Sequence, residues 1–506
     1  MKTWKRMIAV WWTASASLAG AQVFPAIQWQ QTFGGSGRDE LTACLLTFDG
    51  GYLLGGASDS GVGGNKTERK FGWADFWVVK VDPSGAIQWQ RVFGGDMDDY
   101  LSALAPVAAG GFLLGGWSRS DPIPGVGNKT AVNHGAPDFW LVKIDALGNM
   151  SWDRTYGGSG SQTLEAMVAT GDGGFLLAGD SDSPPSGNKS SPNYGGMDFW
   201  LVKVGRDGQK QWDQSYGGNG REHCAAVVGT AGGGCLVGGY SASGVSGNKT
   251  DSHYGGGDIW VVLLDSNGVK QWDRTFGGER VDELSAIVVT TDGSFLLGGT
   301  SDSNPGGNKS ALGRGDRDMW IIKIDSEGNK QWDESYGGTA SELCSNLAAA
   351  DAAGFLVAGF SGSAPGGNKT APLYGNNDFW IVRVAASGTA LWDQAYGGSG
   401  GDYLRTALAT QGGCYVLAGS SGSSPSGTKT APLLGPANSL DYWIVAIAGS
   451  QGPFVTAQPQ SVTVSGGRDA AFSVEAFSAQ SPLRYQWRFG GNDMPGAIGA
   501  TLLLTN

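Results

Sequence analysis

Short apolar runs alternate with turns rich in glycine, asparagine and aspartate along most of the chain. Within residues 282–338 the runs are LSAIVVT, FLLGGTS, MWIIKID and KQWDESY, separated by TDGS, by a longer polar loop containing GNKS, and by SEGN. β-Branched and aromatic residues fill these runs, and no helical period of about 3.6 residues is present. The pattern predicts four short antiparallel strands joined by tight turns, which we name A to D in chain order.

This four-stranded unit is repeated seven times, as two series of tryptophans show. The first series lies in the D strands and is spaced by 60 or 63 residues: Trp29, Trp89, Trp152, Trp212, Trp272, Trp332 and Trp392. The second lies in the C strands, each tryptophan two positions after an aspartate: Trp77, Trp140, Trp200, Trp260, Trp320, Trp380 and Trp443. Repeated four-stranded units of this kind predict an all-β, seven-bladed β-propeller, with most of these indoles in its core.

The two ends of the array predict how the ring closes. It begins on a D strand, IQWQQTF at 27–33, and ends on a C strand, DYWIVAI at 441–447. Pairing of the first strand with the last completes a blade from three C-terminal strands and one N-terminal strand, and leaves no open sheet edge. We therefore expect closure in this 3+1 manner.

The motifs of the repeat carry a family resemblance. The pattern A-x-x-x-T-x-D-G-G-[FY]-L-L-x-G, followed by D-x-W-[LI]-V-K-x-D-x-x-G-x-x-x-W, resembles secreted bacterial β-propeller repeat proteins with a unit of about sixty residues. Its D-x-x-G-x-x-x-W hairpin is similar to the quinoprotein-type propeller repeat. The resemblance covers residues 22–448 and implies the fold without a function. Gly205 and Ala385 replace the hairpin aspartate in two units, which favours a turn role for that position.

The segment after the repeats differs in character. Residues 449–453 are expected to be a linker, and residues 454–506 resemble an incomplete bacterial Ig-like domain. AAFSVEA and YQW stand for its strands B and C, and Trp487 would be the core tryptophan. No segment stands for strands F and G, which suggests a truncated product or fragment. A short β tail of another kind is the alternative.

The N-terminal segment predicts export. Residues 1–21 combine Lys2, Lys5 and Arg6, an apolar stretch and a small-x-small cleavage site, as a secretory signal peptide does. A membrane anchor is the alternative, but the apolar stretch is short for a bilayer, and no later segment is predicted to span one. We expect a secreted or cell-surface protein, with bacterial origin implied by the resemblance.

Charge and cysteine usage narrow the possible partners. The formal net charge is −12, which argues against nucleic acid as a partner. The five cysteines occur singly on apolar strand patterns, which favours buried thiols over disulfides or a zinc site.

A ring of acidic residues is the first candidate site. Ten residues after each D-strand tryptophan stands an acid, except at Gln162: Asp39, Asp99, Glu222, Asp282, Glu342 and Asp402. Strand A should line the channel, so these side chains are expected near its mouth, on the same face as a lysine in every B–C loop. Two interpretations stay open. Either each carboxylate caps backbone amides or pairs with a loop lysine such as Lys249, and so holds its own blade together, or the ring binds a ligand or Ca²⁺ through oxygen. No other cofactor or metal is predicted.

Loop residues form a second group of candidates. Possible ligand contacts in or near the B–C loops are Trp73, Trp117, Tyr194, His253, Tyr254 and Tyr374. The recurring GNK[ST] of these loops has the form of a glycosylation acceptor, but its repetition favours a side-chain-stabilised turn. The polar residues that do not recur are His134, His223, His253, Arg314 and Arg317, and no hydrolase, metalloprotease or phosphate-binding motif is present.

These observations predict a binding or adhesion protein that presents loops on one face to a glycan or protein ligand. The alternatives are an extracellular enzyme acting on polysaccharide, or a purely structural surface array. The absence of catalytic motifs makes an enzyme the weaker hypothesis.

Overall fold

The computed structural model describes residues 25–108, 110–135, 137–351, 354–410, 414–437, 439–448, 454–457, 469–477, 485–489 and 492–505. The predicted signal peptide and linker lie outside these residues. Within the described part of the chain, every regular element is a β-strand, and no helix has the length and apolarity needed to cross a membrane.

The strands follow the sequence repeat closely. They are β1 Ile27–Phe33, β2 Asp39–Leu46, β3 Tyr52–Ser58, β4 Asp75–Val81, β5 Ile87–Phe93, β6 Asp99–Pro106, β7 Phe112–Ser118, β8 Asp138–Ile144, β9 Met150–Tyr156, β10 Gln162–Ala169, β11 Phe175–Ser181, β12 Asp198–Val204, β13 Lys210–Tyr216, β14 Glu222–Gly229, β15 Cys235–Ser241, β16 Asp258–Leu264, β17 Lys270–Phe276, β18 Asp282–Val289, β19 Phe295–Ser301, β20 Asp318–Ile324, β21 Lys330–Tyr336, β22 Glu342–Asp351, β23 Gly354–Ser361, β24 Asp378–Ala385, β25 Ala390–Tyr396, β26 Asp402–Ala409, β27 Tyr415–Ser421, β28 Asp441–Ile447, β29 Phe454–Ala457, β30 Ala470–Ser473, β31 Glu475–Phe477, β32 Arg488–Phe489, β33 Asn492–Asp493 and β34 Thr501–Leu504.

The first 28 strands form seven four-stranded antiparallel sheets, which confirms the predicted propeller. Blades 1 to 6 take their strands in chain order from β2 to β25, and blade 7 has the order β26, β27, β28, β1. In blade 7, Phe33 of β1 pairs with Tyr442 of β28, and Ile27 pairs with Ile447. The ring is therefore closed in the 3+1 manner expected from the sequence.

The two tryptophan series differ in burial. All seven C-strand indoles are completely buried between neighbouring blades, as the prediction of core residues requires. The D-strand indoles are mostly half-exposed and cover the rim. Trp212, for example, lies against Gly268, a hairpin glycine of the next blade with a φ of 76°. A side chain on that glycine would collide with the indole, so the D-strand tryptophan joins two blades rather than filling the interior of one.

Glycine in the B strands lets neighbouring strands approach closely. A Cβ on Gly239 would lie 1.9 Å from the carbonyl oxygen of His223 on the adjoining A strand. Any side chain there would separate the two strands where blades converge on the axis.

The described C-terminal residues form three two-stranded pairs: β29 with β31, β30 with β34, and β32 with β33. Phe472 and Trp487 are buried in a small separate core, with ring centroids 6.5 Å apart. Trp487 precedes β32 instead of lying within a YQW strand, because its backbone bonds to Met494 and Ala497. The Ig-like assignment stays a prediction.

Candidate functional site

A central channel of about 480 Å³ is lined by residues from all seven blades. The fourth residue of each A strand lines it, from Thr42 in blade 1 to Arg405 in blade 7. This residue is left without a pairing partner by a bulge that recurs in every A strand, so that its side chain enters the channel.

Three positions per blade, which we call the mouth positions, differ from one blade to the next. They are the second and fourth residues of strand A and the penultimate residue of strand B, and they lie at or near the end of the channel that faces the B–C loops. From blade 1 to blade 7 they are Glu40, Thr42, Ala57; Tyr100, Ser102, Trp117; Thr163, Glu165, Asp180; His223, Ala225, Tyr240; Glu283, Ser285, Thr300; Leu343, Ser345, Phe360; and Tyr403, Arg405, Ser420. The A-strand positions next to them keep their character, since the first is an acid or Gln162 and the third is always leucine or cysteine.

Aromatic side chains occupy several mouth positions. Tyr100 and Trp117 stack with their ring centroids 4.7 Å apart and an angle of 15° between planes, and Arg119 lies over Trp117. On the other side of the ring Phe360 and Tyr403 meet edge to face at 5.2 Å. Each of these rings is half-buried, which leaves part of its surface accessible.

Charged side chains occupy other mouth positions. Arg405 of blade 7 donates to Glu40 of blade 1 at 3.0 Å, and Glu40 also accepts from Arg38. Arg317 of the blade 5 loop donates to Glu283 at 3.1 Å. These partly exposed ion pairs contribute little to stability, so their charge is available at the mouth.

Blades 3 and 4 bring together Glu165, Asp180 and His223. His223 Nδ1 and Asp180 Oδ2 are 2.5 Å apart, and Asp180 Oδ1 accepts from the backbone nitrogen of Cys224 at 2.6 Å. The Asp180 side chain is 1% exposed, whereas that of His223 is 45% exposed on the channel side. Glu165 is half-buried beside them.

The three side chains shift one another's pKa values. The hydrogen bond to Asp180 raises the pKa of His223 to about 9, against the opposing effect of burial. Burial, together with the charge of Asp180, raises the pKa of Glu165 to about 7. Burial also raises the pKa of Asp180, and the bond with His223 opposes that effect. The hydrogen bond with Asp180 therefore favours the protonated form of the imidazole.

The predicted acidic ring lies inside the blades. All six carboxylates and Gln162 are completely buried: Asp39, Asp99, Glu222, Asp282, Glu342 and Asp402. Glu222 shows the pattern, since it accepts from the Gly218 nitrogen and from the Ser241 hydroxyl, both at 2.8 Å. Each carboxylate thus stabilises the connection that leads into its own blade. The binding role predicted for the ring, with Ca²⁺ or another ligand, stays a prediction.

The B–C loop lysines are also buried. Lys249 Nζ donates to the carbonyl of Asp251 at 2.8 Å and to Thr275 Oγ1 at 2.7 Å, and it lies 5.3 Å from the ring centre of Trp260. An equivalent lysine lies over the C-strand tryptophan in every blade: Lys66, Lys129, Lys189, Lys309, Lys369 and Lys429. The expected pairing of Lys249 with a carboxylate is replaced by these carbonyl, hydroxyl and ring contacts.

The GNK[ST] asparagine joins neighbouring blades. Asn248, in the B–C loop of blade 4, accepts from the Gly217 nitrogen and donates to the Ser215 carbonyl, both at 2.9 Å. Both partners belong to the end of blade 3 and the connection that leaves it, a region that together with the loop we call a blade junction. Asparagines in five other loops make the same two bonds: Asn65, Asn128, Asn188, Asn308 and Asn368.

The loop candidates lie mostly away from the channel. Tyr194, Tyr254 and Tyr374 each lie beside the GNK or GTK glycine of the next blade. Trp73 and His253 are exposed in their loops, Trp73 to 66%. Trp117 lies near its B–C loop, as expected, because it is the penultimate residue of strand β7 and stands at the channel mouth. Ligand contact by these six residues stays a prediction.

Sequence reasoning missed most of the mouth positions. It relied on the residues that recur, and among the mouth positions it named only Trp117, as a possible ligand contact, and His223, as a residue that does not recur. The available signal was variation itself: these three positions differ between units, whereas the two tryptophans recur in all seven. The residues that contact them from the neighbouring blade cannot be identified from the sequence, because the blades meet only in the closed ring.

A second cavity, of about 320 Å³, lies at the opposite ends of blades 3 and 4. Its lining includes Trp212 and the ion pair of Lys203 with Asp172, whose charged atoms are 2.8 Å apart. The same kind of pair, between a C-strand lysine and the A–B hairpin, is formed by Lys80 with Asp49. Since that pair belongs to the repeat, this cavity has less individual chemistry than the channel.

Comparisons with known proteins give no family for the chain. No family model matches it. It is 24% identical over 197 residues to the regulatory protein FlaEY of Caulobacter vibrioides, a match that covers 36% of this chain and 20% of that protein. The chain thus corresponds to about a fifth of that relative's length.

Among solved structures, the chain is similar to the Neurospora crassa Pan2 WD40 domain, with 8% identity, a TM-score of 0.44, and coverage of 81% of this chain and 89% of that one. It is also similar to Sqt1 from Chaetomium thermophilum, with 13% identity, a TM-score of 0.42, and coverage of 90% and 100%. These values are low, and the fold assignment here rests on the strand pairing described above.

Proposed function

We propose that this protein is a secreted or cell-surface binding protein whose ligand is recognised at the mouth of the central channel. The observation that supports this most directly is the contrast between the constant repeat and the varied mouth positions. A purely structural repeat can carry the same residue at every equivalent position around the opening. Recognition of an asymmetric ligand requires different residues there.

The chemistry of the mouth favours a glycan among the ligand classes. The partly exposed rings of Trp117 and Tyr240 offer apolar surface of the kind that packs against sugar rings. Glu40, Glu283 and Arg405 provide acceptors and donors for hydroxyl groups around the same opening. A concave site of this kind suits a small or chain-like ligand better than a flat protein surface.

Glycan-array binding by the full mature chain tests the proposal. The wild type is expected to bind at least one class of glycan, and Trp117→Ala to weaken that binding about tenfold or more, as loss of a central aromatic contact does. Trp73→Ala is the matched comparison, because Trp73 is an exposed tryptophan in a loop outside the mouth positions. Recognition at the mouth predicts that this variant binds normally, whereas the loop contact expected from the sequence predicts a loss of binding.

Two results would contradict the proposal. One is the absence of glycan binding, in which case a protein array would be the next screen. The other is equal loss of binding in the two tryptophan variants, which would place the ligand away from the channel.

A second candidate is an extracellular enzyme acting on polysaccharide. The single observation in its favour is the meeting of an imidazole and two carboxylates inside the channel, at His223, Asp180 and Glu165. Turnover on a polysaccharide panel, lost in His223→Ala, would support it. Binding without turnover would leave the first candidate.

A further inference from the structure

One set of potential metal ligands stands out in the described part of the chain. Among histidine, cysteine, aspartate and glutamate side chains there, Glu165, Asp180 and His223 form a group with one ligand atom each, all within 4.8 Å of one another. They come from three strands, β10, β11 and β14, and from two blades. The group therefore depends on the packing of blade 3 against blade 4.

Comparison of equivalent positions in the seven blades shows that the propeller fold does not require this group. The residues equivalent to Glu165 in the other blades are Thr42, Ser102, Ala225, Ser285, Ser345 and Arg405. Those equivalent to Asp180 are Ala57, Trp117, Tyr240, Thr300, Phe360 and Ser420. A histidine in the second position of an A strand occurs only in blade 4 of the seven. Three departures from the repeat thus coincide at one point.

The position of Asp180 is fixed by its surroundings. In three blades the side chain at this position accepts from the backbone of the next blade: Thr300 from Cys344 at 3.1 Å, Ser420 from Leu41 at 2.9 Å, and Asp180 from Cys224 at 2.6 Å. A hydroxyl makes this bond in two of them, so the second carboxylate oxygen of Asp180, which faces His223, is additional. Fixing one oxygen through a backbone bond orients the other, as outer partners do for metal ligands.

We propose that Glu165, Asp180 and His223 bind one divalent transition-metal ion in the channel of the propeller. One imidazole nitrogen and two carboxylate oxygens form a ligand set suited to Zn²⁺, Co²⁺ or Mn²⁺ more than to Ca²⁺, which takes six to eight oxygens. The ion replaces the hydrogen bond between His223 and Asp180, and its remaining coordination positions face the channel. The site differs from the acidic ring, and the sequence alone did not predict it. It does not depend on the proposed glycan binding.

Titration of the chelator-treated, full mature chain with Zn²⁺ by calorimetry is the test. One equivalent per chain should bind, and His223→Ala and Glu165→Gln should each weaken binding about tenfold or more. His253→Ala is the matched control, because His253 is exposed in a loop, and it should bind as the wild type does. Circular dichroism and the unfolding midpoint of each variant establish that it is folded.

Cobalt provides an independent readout that needs no activity. The Co²⁺-loaded wild type should show visible absorption from a protein-bound ion, which His223→Ala should lose and His253→Ala should keep. The proposal is overturned if the wild type binds less than one equivalent, or if His223→Ala binds Zn²⁺ as tightly as the wild type. Either result would identify the three residues as a hydrogen-bonded cluster only.

Discussion

The blade junctions and the channel mouth are made by the same seven repeats, but they use repetition in opposite ways. At the junctions, six loops place an asparagine on the same two backbone groups, and seven place a lysine over a buried indole. At the mouth, equivalent positions hold an acid, an aromatic ring, a hydroxyl or an arginine. The difference indicates that stability is distributed around the ring, and it supports the proposal that recognition is concentrated where the units diverge.

The largest expected effect separates two tryptophans. Trp260→Ala should lower the free energy of unfolding by about 3–5 kcal/mol, because the indole is completely buried between blades and leaves a large cavity. Trp117→Ala, at the half-buried mouth, should cost about 1 kcal/mol or less. Chemical denaturation of both variants measures the difference. Equal losses would remove the distinction between junction and mouth.

The asparagine of a blade junction should have the next largest effect. Asn248→Ala leaves the Gly217 nitrogen and the Ser215 carbonyl without their partners, and should cost about 2 kcal/mol. The seventh unit supplies a control, because the Thr428 hydroxyl accepts from the Gly397 nitrogen at 2.9 Å, whereas its second bond, to the Gly397 carbonyl, is longer, at 3.3 Å. That carbonyl also accepts from two backbone nitrogens, so Thr428→Ala leaves only the Gly397 nitrogen without a partner and should cost about half as much. Unfolding midpoints measure both, and a loss in Thr428→Ala as large as in Asn248→Ala would contradict the two-bond account.

Paired acids at the junctions predict a pH dependence. Asp198 and Glu222 border the same glycine, Gly217, and Asp198 Oδ1 is buried without a hydrogen-bond donor among the described residues. Burial, with the proximity of Glu222, raises the pKa of Asp198 to about 7. A raised pKa means that the fold favours the protonated form. The stabilising contribution of Asp198 is therefore complete below about pH 4 and is lost as the pH rises through about 7.

Asp198→Asn should accordingly stabilise the protein at pH 8 by about 1 kcal/mol, and have little effect at pH 4. The junction of blades 2 and 3 supplies the reverse experiment, because Gln162 there takes the place of the second acid. Gln162→Glu should destabilise at pH 8 more than at pH 4. Melting temperatures across this range measure both variants, and matching pH profiles for wild type and Asp198→Asn would refute the assignment.

The smallest effect is expected for an ion pair at the mouth. Arg405→Ala removes the bond to Glu40, but Arg405 is 43% exposed and its pairing should contribute less than about 0.5 kcal/mol. Denaturation in low and high salt measures this contribution. A loss above about 2 kcal/mol would show that the mouth, too, is part of the structural frame.

The sequence predicted the strands well because each unit repeats its own turns and apolar runs. β1 and β28 occupy the residues expected for the closing pair, and all seven C-strand tryptophans are buried. It predicted less of the contacts between units, because Asn248 and its partners belong to different repeats and only the closed ring brings them together. The sequence also predicted the acidic ring at the channel mouth, whereas the structure buries it inside the blades. Spacing locates Glu222 on a strand, but it does not show that Ser241 bonds to this carboxylate.

The closing strand has a consequence for how the chain is made. Synthesis proceeds from the N-terminus, so β1 emerges early, but its partner β28 begins only at Asp441. Until then β1 has no permanent neighbour, and the six intermediate blades form an open arc that ends in unpaired strands. Such edges recruit other chains. The nascent chain is therefore prone to aggregation until β28 has been synthesised. A chaperone that binds β1 during that time would assist folding without binding the closed propeller.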